Sequence, residues 1–134
     1  MHFSHLRRTL LALSASLAAL ATAAAADIKS DEFRKEFIEK FQRTGLNTTP
    51  GDAMMLRNLV QSMRAQRGIE VGTASGFGAV NMGIGFERSG GHLYGLEIDP
   101  KRVEETRQNL RKVGLEKVVT IVEGDALKTL PQLK

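Results

Sequence analysis

The 134-residue chain contains no cysteine. This rules out disulfides, thiolate zinc sites and cysteine nucleophiles, and it is compatible with an oxidising compartment without demonstrating one. No basic stripe with interleaved aromatics is visible, so nucleic-acid binding is not expected. There is no G-x-x-x-x-G-K-[ST], which excludes a P-loop. No internal repeat occurs, and the alanines near the N-terminus form the one low-complexity tract. The longest apolar run, Leu10 to Ala23, is too short and too alanine-rich to cross a bilayer comfortably.

That run reads better as the core of an export signal. Arg7 and Arg8 precede it, and Ala24-Ala25-Ala26 supplies small residues for cleavage before Asp27. Paired arginines followed by Thr9-Leu10-Leu11 also admit a twin-arginine signal, which exports folded protein. The expectation is an exported, periplasmic or secreted protein with no membrane span once the signal is removed. A mis-assigned start would leave it cytoplasmic. Removing residues 1–26 takes away two arginines and no acid, leaving 17 basic against 15 acidic residues.

From Ser30 to Thr44 the pattern predicts a helix, with Phe33, Phe37, Ile38 and Phe41 as a packing face and Arg34, Lys35, Glu39 and Lys40 turned away. Gly45 would stop it. A second helix starts at Thr49 as N-cap with Pro50 in the first position. Its expected apolar face is Met55, Leu56, Leu59, Val60 and Met63. Residues 27–66 thus form a helical segment ahead of the main domain, 67–134.

That domain opens with a short strand, Ile69-Glu70-Val71, running into Gly72-Thr73-Ala74-Ser75-Gly76-Phe77-Gly78. A helix over 79–88 follows, with Val80 and Ile84 buried, and its Gly83 and Gly85 suit close packing on a sheet. A second strand runs from His92 to Leu96 and stops at Glu97-Ile98-Asp99. Asp99 and Pro100 cap the next helix, with Val103, Thr106, Leu110 and Val113 inward and Gly114 closing it. Val118 to Val122 is a third strand, apolar on both faces and expected to be parallel and covered by helices. It ends at Glu123-Gly124-Asp125-Ala126, ahead of a short last helix over 127–130.

Strand, glycine turn, helix, strand and acid is the order of a nucleotide-binding βαβ unit. A dinucleotide site wants G-x-G-x-x-G at the strand end, whereas the spacing here is Gly72-x-x-x-Gly76-x-Gly78. That spacing suits a ligand without a pyrophosphate, with an amino-acid end near Glu70 and Gly72 and a ribose near Glu97.

The three segments around Gly72–Gly78, Glu97–Pro100 and Glu123–Ala126 resemble class I S-adenosylmethionine-dependent methyltransferases. More narrowly, they resemble the catechol and caffeoyl-CoA O-methyltransferase group. The likeness covers about residues 44 to 134. It implies that Glu70 and the Gly72 backbone hold the methionine part of the cofactor, within a loop that includes Thr73. Gly76 permits the close turn, Glu97 takes both ribose hydroxyls, Ile98 packs on adenine, and Asp125 with Ala126 lines its edge. Gly78 stands where many relatives have a serine.

The implied fold is α/β, a partial Rossmann-like sheet of strands one to three preceded by two helices. The family's sheet has seven strands, and its divalent-metal ligands and catalytic base follow strand four. The chain therefore reads as the N-terminal half of a longer enzyme, with a small-molecule acceptor and room for a homodimer. A nucleoside-binding half-domain without turnover stays open, and so does a nicotinamide-dependent oxidoreductase, although the glycine spacing disfavours the latter.

Overall fold

A computed structural model describes residues 28–133; the export signal expected over 1–26 lies outside the described residues. The first helix, α1 (Asp31–Glu39), is capped by Ser30, whose hydroxyl accepts from Phe33 N–H at 3.2 Å. It ends one turn earlier than the spacing predicts. Lys40 closes it, and Phe41 leaves the axis to stack edge-on against Phe77, 5.2 Å between ring centres. Residues 41–49 then run over the start of another helix instead of extending this one.

The buried residue of α1 is Arg34, at 4% exposure, although the sequence places it on the solvent side. Its guanidinium donates to the Val113 carbonyl oxygen at 3.0 and 3.2 Å and to both oxygens of Glu87. A phenylalanine stripe alone could not satisfy the open carbonyl at the end of a neighbouring helix, whereas a planar fork of donors can.

Helix α2 (Pro50–Ser62) starts as expected, with Thr49 Oγ1 accepting from Asp52 N–H at 3.2 Å. Its packing face differs. Ala53 is buried and Val60 half-buried, whereas Met55, Leu59 and Met63 stand 63%, 47% and 74% exposed. The cause is Gly85 on the facing helix, where an added Cβ would lie 3.0 Å from the Arg57 carbonyl oxygen and 3.1 Å from Val60. Two helices this close meet through their smallest side chains, and the larger apolar ones are left on the open side.

Three parallel strands follow: β1 (Arg67–Val71), β2 (His92–Glu97) and β3 (Val119–Glu123), in the order β1-β2-β3 with β1 at the edge. Between them run α3 (Phe77–Ser89) and α4 (Pro100–Lys112). Both crossovers advance in the same direction, so right-handed connections put both helices on one face. That face carries Gly68, Glu70, Leu93, Gly95, Val119 and Ile121. Every residue of α3 from Phe77 to Phe86 is buried, well beyond the predicted Val80 and Ile84. Gly83 packs on Val119 and Leu115, while Gly85 meets α2 rather than the sheet.

The opposite face carries Ile69, Val71, Tyr94, Leu96, Thr120 and Val122. The last helix, α5 (Ala126–Thr129), followed by a 3-10 turn (Leu130–Gln132), contacts β2. Leu96 is buried, but Ile69 and Val71 stand open. Among the described residues the third strand is buried at Val119 and Ile121, on the face of α3 and α4, and more open at Thr120 and Val122.

Candidate functional site

In a parallel sheet all strands deliver their following turns to one rim. Here the turns after β1 and β2 meet there, joined by hydrogen bonds. The first turn is wound tightly: Gly72, Ala74 and Gly76 have φ of +80°, +49° and +91°. An alanine in the left-handed region is uncommon and must be held by its surroundings. It is held on both sides. Ala74 N–H donates to Glu97 Oε2 at 2.9 Å, and its carbonyl accepts from Thr106 Oγ1 at 3.0 Å. Gly76 is doubly constrained, because a Cβ would also strike Thr106 Cγ2 at 2.8 Å.

Glu97 is the hub of this rim. It is 8% exposed, and its Oε1 accepts from Ile98 N–H at 2.9 Å and Asp99 N–H at 3.0 Å. With Ala74, three backbone donors fix one carboxylate, leaving lone pairs for further donors. The Glu97 carbonyl accepts from Gly124 N–H at 2.8 Å, which draws in the turn after β3.

Glu70 sits behind the first turn of α3. A Cβ at Gly78 would collide with Glu70 Oε1 and would lie 3.0 Å from Thr48 Oγ1, so the space a serine side chain would need is already occupied. Glu70 Oε2 is buried without a hydrogen-bond partner. Burial, and secondarily the charge of Glu97, push its pKa up to about 7. The N-cap of α3 is Gly76, which offers no side-chain cap. The N–H groups of Phe77, Gly78 and Ala79 accordingly find no protein acceptor among the described residues, and the first intrahelical bond runs from Val80 to Gly76.

The remaining expected residues fall into place unevenly. Thr73 is buried, its methyl against Gly95 and its hydroxyl 3.3 Å from Thr106 Oγ1, so toward the rim it can present only backbone. Ile98 is 68% exposed beside Glu97, an apolar surface open at the rim. Asp125 caps α5, its Oδ1 accepting from Leu127 N–H at 2.9 Å. Ala126 begins that helix.

Sequence reading missed the supports. Ser75 Oγ donates to Asn47 Oδ1 at 2.9 Å, and Asn109 Nδ2 donates to the Ser75 carbonyl at 3.0 Å. These pairs join residues 28 and 34 positions apart, and no local pattern signals them. A cavity of about 620 Å³ between α1 and α4, floored by Phe33, Phe37 and Phe41, is set apart from the two carboxylates. Two of its lining residues touch the glycine turn and the helix start: Asn109, through the Ser75 carbonyl, and Phe41, against the Phe77 ring.

Comparison with known proteins supplies the frame for this geometry. The profile of the family described as O-methyltransferase matches residues 21–134. The chain is 30% identical to the O-methyltransferase ankF of Aspergillus thermomutatus over 96 residues, 72% of this chain and 40% of that protein. It is 32% identical to a catechol O-methyltransferase of Niastella koreensis over 88 residues, 66% of this chain and 39% of that protein. Among solved structures, the O-methyltransferase from Bacillus cereus in complex with SAH aligns with a TM-score of 0.63 at 27% identity, covering 75% of this chain and 46% of that one. The chain thus spans about two fifths of the length of these curated relatives.

Proposed function

The chain belongs to the O-methyltransferase family, and we propose that it binds S-adenosylmethionine and serves methyl transfer to a hydroxyl of a small-molecule acceptor. The observation that carries this reading is the pair of carboxylates, buried Glu97 and half-buried Glu70, flanking a turn whose following helix has three unpaired N–H groups.

The residues fit the cofactor on chemical grounds. Its amino-acid end is a zwitterion, and the rim offers both complements. The open N–H groups of Phe77, Gly78 and Ala79 suit a carboxylate, as helix N-termini do. The Glu70 carboxylate beside them suits an ammonium. A bound anion would give the unsatisfied donors an acceptor.

Glu97 would accept from ribose hydroxyls with the lone pairs its three backbone donors leave free. Because those donors hold it in place beforehand, little side-chain freedom is lost on binding. Ile98 gives adenine an apolar contact, and Asp125, whose Oδ1 caps α5, could offer its other oxygen to the adenine edge. Gly72 and Thr73 would contribute backbone only. The cofactor, when bound, supplies an electrophilic methyl group. The chain's own residues bind and orient it, which is catalysis by positioning.

A dinucleotide is the discriminating competitor. Calorimetry with S-adenosylhomocysteine and with NAD separates the two, with heat of binding expected for the first alone. Binding of NAD in its place would overturn the assignment. Transfer of a labelled methyl group to catechol-type acceptors then tests turnover.

A further inference from the structure

Glu70 and Glu97 lie close enough to interact, yet the fold treats them unequally. Glu97 receives three backbone N–H groups, from Ala74, Ile98 and Asp99. Glu70 receives no donor at Oε2, which is shut away from water beneath the first turn of α3. Gly78 is what admits it there, because any side chain at that position would evict the carboxylate.

A carboxylate with one oxygen buried and no donor is costly to keep charged, and taking up a proton relieves it. No cation among the described residues relieves it: Arg43, on the 41–49 segment that packs here, has its guanidinium 5.5 Å from the centre of the Phe77 ring and does not act on Glu70. On its own strand, Arg67 lies on the opposite face of the sheet. β2 presents Glu97, with Asp99 just beyond. The charged residues of α3, Glu87 and Arg88, are at its far end, and Glu87 is engaged with Arg34. α2 carries Asp52, bonded to Thr49, and Arg57, whose backbone faces Gly85. Of all these, only Glu97 acts on the Glu70 charge, and it repels.

The geometry points to proton-coupled cofactor binding: the free chain carries Glu70 as a neutral acid, and the α-ammonium of the incoming cofactor displaces that proton. This rests on the function proposed above. The step balances simply. The Glu70 O–H bond breaks, the proton leaves to solvent, and the resulting carboxylate accepts an N–H from the ammonium. The cofactor is not otherwise changed. The linkage has a definite sign. Binding that requires the carboxylate strengthens about tenfold per pH unit while Glu70 is protonated in the free chain, and levels off above its titration near pH 7.

The test uses the 134-residue chain and S-adenosylhomocysteine, between pH 5.5 and 7.0, where the ligand amino group stays protonated. Calorimetry at pH 6 in buffers of differing ionisation enthalpy should show close to one proton released per ligand bound, and affinity should rise by at least tenfold across the range. Glu70→Gln should bind more weakly, release no proton and show a flat profile; a role limited to filling space would leave the wild-type pH dependence in place. Should Glu70→Gln fail to fold, carbon-13 spectra of glutamate-labelled wild type decide the matter. One carboxyl signal should titrate near neutrality in the free chain and shift far lower with ligand. Tight binding with no proton release overturns the coupling and leaves the proposed function standing. Absence of binding at every pH overturns both.

Discussion

The sharpest consequence of the buried acid is for the stability of the ligand-free chain, and Glu70→Gln exposes it. Folding raises the Glu70 pKa from 4.5 to about 7. Between those values the folded chain holds a proton that the unfolded chain releases, so stability falls as pH rises through that interval and stays low above it. At 1.36 kcal/mol per pH unit, the loss is about 3 kcal/mol. Glutamine keeps the shape and cannot ionise, so it removes this dependence and nothing else that titrates. Urea unfolding at pH 4.5 and pH 8 should therefore show the variant gaining about 3 kcal/mol on wild type from the lower pH to the higher. For a domain near this size, that is roughly a 10 °C relative rise in melting temperature or more. Wild type and variant moving in parallel with pH would refute the reasoning, because Glu70 would then ionise in the folded chain as freely as in the unfolded one.

Other substitutions probe the rest of the arrangement. Glu97→Ala strips the acceptor from three N–H groups and should cost about 1–3 kcal/mol in urea unfolding, and it should lower S-adenosylhomocysteine affinity roughly 100-fold by calorimetry. Gly78→Ala should push the Glu70 carboxylate out of its recess and weaken the same ligand roughly tenfold, the loss of one charge-assisted hydrogen bond. Arg34→Met leaves the Val113 carbonyl without its donor and Glu87 with only the Lys29 ammonium, 3.8 Å away. It should destabilise by about 2 kcal/mol, with faster limited proteolysis between residues 40 and 46 as α1 loosens. Fractionation of expressing cells should find the protein outside the cytosol and shortened by residues 1–26; an intact cytosolic protein would refute export.

What could be read in advance follows from the range of the interactions involved. Caps at Thr49 and Asp99, the turn glycines and the strand-ending acids are local signals, and each stands where the residues place it. The misjudged features depend on distant partners. Arg34 looks like a solvent residue until Val113 and Glu87 arrive from 79 and 53 positions away. The Met-rich side of α2 looks like core until Gly85 brings the smaller side into contact. At the rim, the positions of the acids and glycines on the turns were legible from spacing. The props Asn47, Thr106 and Asn109 were not, because they bond to backbone atoms or side chains of a turn remote in sequence.

Helix α3 joins two extremes of amide behaviour. Its middle, enclosed on all sides from Phe77 to Phe86, should surrender deuterium only when the whole chain opens. Its first three amides are enclosed by the same packing but bonded to nothing in the protein. A helix buried from Phe77 to Phe86 therefore begins with three hydrogens that no acceptor among the described residues holds. A ligand seated there would add protection at those three positions without having to order any new backbone, so exchange at Phe77, Gly78 and Ala79 would serve as an occupancy gauge built into the scaffold.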